Sequence, residues 1–395
     1  MLTTLISDSD CEMKISYLSS SPLENNAANC VHVMQMCQAF ANVGYECTLH
    51  AVGVAKHKSH YYEQYGVEKN FNLNILSQSK IKYLGPIIFG FRQALNAKFK
   101  IKPDICYARC ITSAYFAMRL GMRVVLELHE VPYSKPSRWL YKKLLNSKNL
   151  VRIVVISEAL KIELSKEFPE ILFTDIVVAH DGANNFQCQN NDSRTGDGQR
   201  NTVKVGYAGG LREGNGIALI LKLAEENPNL QFHLAGGSSA DVNSWRARTH
   251  ARNIIWHGSK LPKEIPDFLC QNDILLAPYQ LGPKTNAGHD TAKWMSPLKI
   301  FEYMAAGKVL MVSDFPVLRE VLDDDIAVLI EPTNFDRWTR SIKQLADSES
   351  LRLKYGNLAK ARFLEEYTWA TRAIGVLGNL NISKEFPTIQ PSSDS

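Results

Sequence analysis

The run VKVGYAG at residues 203–209 opens a series that continues through LQFHLAG (230–236), IIWHG (254–258), DILLAP (273–278), KVLMVS (308–313) and IAVLI (326–330). Each run is short, β-rich and almost continuous in apolar residues, and each leads into a helical or turn segment. That alternation marks βαβ units, and strands without an in–out pattern are those covered on both faces of a parallel sheet. The first half of the chain repeats it. Strands are expected at Lys14–Leu18, Cys47–Val52, Ile105–Ala108, Val124–Leu128, Ile153–Ile156 and Ile176–Ala179, with helices over Val31–Val43, Ile111–Leu120 and Glu158–Glu167. Between the two series, FQCQNNDSRTGDGQRN (186–201) is polar and reads as a linker. The chain thus reads as α/β, with two Rossmann-like doubly wound halves whose strand ends face a crevice, the place where such sheets bind ligands.

Composition supports this reading. Of 395 residues, 45% are apolar and 22% charged, the balance of a globular protein with room for two cores. The net charge of +5 is too mild to argue for nucleic acid as a partner. Eight cysteines, at 11, 30, 37, 47, 106, 110, 188 and 270, form no CxxC pair and give no zinc spacing. They read as reduced core residues in a reducing, cytosolic compartment. Met1–Glu12 has neither the basic start nor the long apolar run of a signal peptide and is expected to precede the fold. No stretch approaches the apolar length of a spanning helix, and the polar end from Ile382 reads as a disordered tail.

The most informative segment is SPLKIFEYMAAGK, Ser296–Lys308. A Ser-Pro step suits a helix start, with Ser296 as N-cap and Pro297 in the first helical position. Free amides over Ser296–Lys299 would then form a site for phosphate oxygens. Glu302 lies one turn on, where its carboxylate could accept hydrogen bonds from a ribose diol. Without further context it reads equally as a first-turn partner of the helix dipole.

Other segments fall into the same order over roughly 15–370: NAANCVHVMQMCQAFANVGYECTLHAVG (26–53), PDICYARC (103–110), VVLELHEVP (124–132), VVISEALK (154–161), VVAHDGAN (177–184), VKVGYAGGLREGNG (203–216) and NDILLAPY (272–279). Together with Ser296–Lys308 the set resembles the retaining nucleotide-sugar glycosyltransferases of GT-B fold grouped as family 4, the group 1 glycosyl transferases. The resemblance implies an N-terminal acceptor-side domain at 13–185, a linker at 186–201 and a donor-binding domain at 202–367. It also implies a helix at 368–380 that returns to the first domain, with 381–395 as the tail. Glu302 matches the second glutamate of the family's E-x7-E motif, which holds the donor ribose. Ser296, Pro297 and Leu298 match the segment at the distal phosphate. Gly210, Arg212, Gly214 and Asn215 belong to the matching diphosphate loop. His129 matches a histidine beside the transferred sugar and is the candidate catalytic residue, although alone it would read as a histidine ending a strand. Asn29 and His32 match the start of the first helix, on the acceptor side of the crevice.

Two places depart from the family pattern. Trp294 stands where the first glutamate of E-x7-E would be, with His289 and Asp290 just upstream. Gly210 and Asn215 occupy the two positions where the family has Arg and Lys. A leaving diphosphate needs positive charge more than it needs a fixed origin for it, so Arg212 and Lys299 are expected to supply it. Neither a cofactor nor a metal is expected, because no Asp-rich metal motif is present.

Two basic stretches bear on a membrane role: SKPSRWLYKKLLNSKNLVR (134–152), and 80–102 around YLGPIIFGF. Each reads either as a helix packed on its own domain with a solvated basic edge or as a peripheral membrane contact. The expected activity is retaining transfer of a hexose-type sugar from a UDP- or GDP-type donor to a saccharide or lipid-linked acceptor. Its expected setting is polysaccharide or glycolipid assembly in the cytoplasm, either free or at the inner membrane face. A GT-B nucleotide-sugar 2-epimerase is one alternative. The other is a non-catalytic nucleotide-sugar-binding scaffold, which Trp294, Gly210 and Asn215 keep open.

Overall fold

VVLEL at Val124–Leu128 and VLMVS at Val309–Ser313 are buried at every position, as strands sandwiched between helices must be. The computed structural model describes residues 13–77, 84–169, 174–188, 202–280, 293–378 and 380. The first domain runs β1 (Lys14–Pro22), α1 (Ala28–Asn42), β2 (Glu46–Val52), α2 (Lys58–Tyr65), β3 (Asn72–Leu76), α3 (Gly85–Asn96), β4 (Ile105–Ala108) and α4 (Ile111–Arg119). It continues with β5 (Val124–Leu128), α5 (Lys135–Leu145), β6 (Leu150–Val155), α6 (Glu158–Glu167) and β7 (Ile176–Val178). The second comprises β8 (Lys204–Ala208), α7 (Ile217–Glu226), β9 (Gln231–Ala235), α8 (Ser239–Arg246), β10 (Ile254–Gly258), α9 (Ile265–Cys270) and β11 (Ile274–Ala277). After these come α10 (Leu298–Ala306), β12 (Val309–Ser313), β13 (Val328–Ile330), α11 (Phe335–Asp347), α12 (Glu349–Glu366) and α13 (Trp369–Leu377).

Both sheets are parallel throughout the described residues, in the orders β3-β2-β1-β4-β5-β6-β7 and β10-β9-β8-β11-β12-β13. Each order reverses beside its first strand, at β1/β4 and β8/β11, the switch points where doubly wound sheets open a ligand crevice. The sequence reading passes over β3. Its asparagines alternate with buried Leu73 and Ile75 on the edge of the sheet, so it lacks the continuous apolar run of its neighbours.

Helix α13 crosses back to the first domain. Trp369, Ala373, Val376 and Leu377 are buried in one core with Val33, Met36 and Phe40 of α1. The crossing is pinned where Ala183 and Thr368 pair, with Ala183 N donating to Tyr367 O and Trp369 N to Ala183 O. Arg152 reaches from β6 to the carbonyls of Val376 and Gly378 at 3.0 and 2.8 Å.

The expectation of uniformly reduced cysteines needs correcting. Cys188 and Cys270 form a disulfide across 82 residues of sequence, while Cys30, Cys37, Cys47, Cys106 and Cys110 are free. No spacing rule announces such a pair; it forms because the segment leaving the first domain runs beside the end of α9. Positions 1–12, most of the expected linker (189–201) and the expected tail (381–395) lie outside the described residues, as do His289 and Asp290. No described helix is long and apolar enough to cross a membrane.

Candidate active site between the two domains

The crevice wall of the second domain is built around α10. Pro297, with extended backbone (φ −81°, ψ 122°), is the N-cap, and the helix starts at Leu298. This corrects the expected Ser296 cap with Pro297 inside the helix. The Ser296 hydroxyl is engaged elsewhere, accepting the backbone N–H of Asp181 in the other domain at 2.8 Å. Ile300 N bonds Pro297 O at 3.0 Å, and the amides before it lack an intrahelical partner, as at any helix start. Lys299 and Glu302, three residues apart, share one face of the helix. The Lys299 amine lies 3.2 Å from the Tyr207 hydroxyl and over the rings of Tyr207 and Tyr279, at 4.4 and 4.9 Å. Burial pushes the amine down to about 7, with Glu302 opposing. Burial likewise pushes the Glu302 carboxyl up to about 7, with Lys299 opposing. Glu302 and Leu298 border an interdomain cavity of about 140 Å³ with Gln35, Asn184, Lys263 and Trp369.

The glycine loop after β8 meets this helix. A Cβ on Gly209 (φ +153°) would come within 2.7 Å of Lys299 Nζ, so the missing side chain is what lets the amine lie on the loop. Gly216 (φ +81°) caps α7, and a Cβ there would strike Pro278 O at 1.8 Å. Asn215 braces the loop, its Nδ2 donating to Gly210 O at 2.8 Å, and Gly214 O accepts Gln280 N at the same distance. Arg212 is exposed in the turn. The structure therefore puts Lys299 on the loop, and leaves Arg212 at its solvent side.

In the first domain, the side chains of β5 alternate between two cores: Val124, Leu126 and Leu128 join one, Val125 the other. Glu127 shares the face of Val125, under α1 and α13. It is buried, so its charge must be met there. Its Oε1 bonds His129 Nε2, lies 2.8 Å from His32 Nε2 and accepts from Arg372 Nη2 at 3.3 Å. The other nitrogen of His32 lies 2.9 Å from Asp181 Oδ1. Burial alone would raise the Glu127 carboxyl, but Arg372, His32 and His129 hold it well below the usual range. Asp181 is likewise held low against burial, chiefly by His32. His129 is pushed down to about 4 by burial and Arg109, with Glu127 opposing. Its ring stands edge-on to His32 at 4.9 Å. Asn29, in the first turn of α1, donates to Ser21 Oγ at the end of β1 at 3.0 Å while its carbonyl accepts from Arg109 at 3.1 Å. Atoms of His32, His129 and Asp181 lie within 4.8 Å of one another, close enough to suggest a metal. Both His32 nitrogens already face carboxylates, Nε2 that of Glu127 and Nδ1 that of Asp181, and Arg372 brings positive charge to Glu127 Oε1, while Glu127 Oε2 is buried without a hydrogen-bond partner.

Glu127, Asp181 and Arg372 were missed by the sequence reading. Glu127 had a signal: a carboxylate inside a run read as buried on both faces demands a partner. Trp294, at the position of the absent motif glutamate, packs on the first domain's core, and its carbonyl accepts the Ser157 hydroxyl at 3.0 Å. Nearby, Glu320 of the second domain caps α6, accepting the amides of Glu158 and Ala159 at 2.7 and 2.9 Å. These contacts join the two domains.

Two Rossmann-like domains with parallel sheets, facing each other across a crevice, define the GT-B class. Two family models divide the chain: Glycosyltransferase Family 4 matches residues 31–184, and the glycosyl transferase-like model matches 212–378. The chain belongs to the GT-B glycosyltransferases of the family 4 and group 1 type. It is 30% identical over 119 residues to TuaH of Bacillus subtilis (strain 168), provisionally named a teichuronic acid biosynthesis glycosyltransferase. That stretch is 30% of this chain and 28% of the relative. In fold it is similar to Anabaena HepE, solved with UDP and glucose (TM-score 0.69, 14% identity, 92% of this chain and 97% of that one). It is also similar to TarM of S. aureus, solved as a point mutant with UDP and α-GlcNAc-glycerol (TM-score 0.66, 11% identity, 93% and 100%). A third such structure is the sucrose-phosphate synthase of Thermosynechococcus elongatus (TM-score 0.68, 12% identity, 92% and 97%).

Proposed function

We propose that this protein transfers a hexose-type sugar, with retention and without a metal, from a nucleotide diphosphate donor to a saccharide or lipid-linked acceptor in polysaccharide or glycolipid assembly. The observation that carries the reading is the Lys299 amine lying on the Gly209 loop, one helical turn from Glu302. On this reading the diphosphate takes the amine and the free amides of α10, and the ribose takes Glu302. The amine and the amides are fixed in place before charge develops on the leaving diphosphate, the arrangement that lowers such a barrier. HepE, solved with UDP and glucose, makes a UDP-sugar the first donor to try. The test is a panel of sugar nucleotides scored by thermal stabilisation, then transfer with the best donor in the presence of EDTA. A product with the donor's anomeric configuration supports the reading. An inverted product, a need for added metal, or isomerisation of donor without acceptor overturns it.

Proton exchange on binding should change sign near neutrality. Below about pH 7, Glu302 must lose a proton to accept ribose hydroxyls, so donor binding releases one. Above it, Lys299 must gain a proton to meet the diphosphate, so binding takes one up. Affinity should peak near neutral and fall up to about tenfold per unit on either side. Calorimetry in buffers of different ionisation heat reads the sign directly.

His129 is proposed to stand beside the transferred sugar, next to the Asn29 and His32 end of α1. His129→Ala should lower kcat by more than about tenfold, equivalent to roughly 1.4 kcal/mol of barrier, with little change in donor affinity. A smaller loss of turnover makes it a bystander.

A further inference from the structure

Helix α3 carries apolar residues on its outer face as well as on its buried one. Phe89, Gln93 and Ala94 are buried, while Ile87, Ile88 and Phe91 are 46%, 37% and 42% exposed, with Leu84 just before them at 54%. Spacings of three, four and seven put these four on one outward stripe. The stripe does not end with α3. Phe91 meets Phe116 of α4 at 5.2 Å between ring centres, Phe116 meets Tyr115 at 5.5 Å, and Tyr115 meets Trp139 of α5 at 5.8 Å. Trp139 is 54% exposed, with the Lys143 amine 5.8 Å from its ring. A continuous apolar and aromatic band thus crosses three neighbouring helices. On α5 itself Tyr141 and Leu144 turn inward, so that helix does not provide a membrane face unaided.

The charge around the band is one-sided. Residues 84–102, 111–123 and 134–149 carry eleven lysines and arginines and no aspartate or glutamate, in a chain with 40 acidic residues overall. Arg119, Lys143 and Lys148, with Tyr115, Asn146 and Asn149, line an open concavity of about 550 Å³ beside the aromatic row. At the edge of the face, Glu167 takes Arg138 at 2.9 Å. We propose that α3, α4 and α5 form a docking face for an anionic lipid bilayer. Ile87, Ile88, Phe91 and Trp139 enter the headgroup–acyl boundary while the lysines and arginines meet lipid phosphates. Apolar side chains ringed by one sign of charge fit that surface on both counts. An acidic soluble partner would use the charge and leave the stripe in water. Helix α5 starts six residues after His129, so the face lies on the acceptor side of the crevice, where a lipid-linked acceptor would arrive.

The test uses the full chain and vesicles of phosphatidylcholine alone or mixed equally with phosphatidylglycerol. Flotation should show binding to the mixed vesicles at least about tenfold tighter than to phosphatidylcholine, weakening with added salt. Ile87→Glu with Phe91→Glu, and separately Arg119→Ser with Lys143→Ser, should each abolish flotation while the melting curve and donor binding stay as in the parent. Brominated acyl chains should quench tryptophan fluorescence, and Trp139→Phe should remove that quenching. Equal binding to both vesicle types, binding that survives both double substitutions, or quenching that survives Trp139→Phe overturns the proposal. So does a dimer in sedimentation that Phe91→Glu dissolves, because the face would then cover a second copy.

Discussion

Replacing Glu302 by alanine is expected to weaken nucleotide-sugar binding about a hundredfold and leave the folding transition in place. Two charge-assisted hydrogen bonds to a ribose diol are worth roughly 3 kcal/mol net, which gives that factor. Stability should not fall, because the free protein holds this carboxyl in a buried place that pushes it up to about 7. Removing it relieves a desolvation cost. Calorimetry with the best donor of the panel decides the matter, and unchanged affinity sinks the assignment. Lys299→Met should lower both affinity and kcat, because its amine lies on the glycine loop. Arg212→Ala should do less, since Arg212 sits in an exposed turn.

Arg372→Ala carries the largest expected loss of stability, about 3–5 kcal/mol. The guanidinium is buried and donates to His180 O at 2.9 Å, Ala179 O at 3.3 Å and Glu127 Oε1 at 3.3 Å. Truncating it leaves Glu127 and Asp181 in the interior without their fixed positive charge. Adding Glu127→Gln to Arg372→Ala should recover part of the loss, since it removes the charge left stranded. Urea unfolding of the parent, both single variants and the double variant reads the coupling. A loss below about 1 kcal/mol for Arg372→Ala would mean the network is solvated. Glu127 and Asp181 are both held below the usual carboxylate range. Their contribution is therefore complete at neutral pH and lost as the pH falls through and below that range.

Strands buried on both faces were the most legible part of the sequence. Ile105–Ala108 and Val124–Leu128 match residue for residue, and the other expected strands match within a few residues. Edge strand β3 was hidden because Asn72 and Asn74 interrupt its apolar residues. The start of α10 was legible as a helix start and misread by one residue, because what Ser296 binds lies 115 residues away at Asp181. The same reason hid Arg372, whose partner Glu127 is 245 residues distant. Local rules capture caps and periodicity, whereas partners brought together by the fold leave no local trace. Trp294 shows the opposite case. The departure from the family motif was plain in the sequence, and only packing revealed that the side chain joins the other domain's core.

The return of α13 sets an order for how the molecule comes into being. Trp369, Ala373, Val376 and Leu377, which complete the core around α1, are made only after every strand of the second domain, and so is the arginine that neutralises Glu127. Domains made first ordinarily fold first during synthesis. Here the second domain has all its strands and helices once Glu366 has emerged, while the first still waits with an open core and an uncompensated charge. A premature stop just before Trp369 would therefore spoil the domain that is translated first of the two.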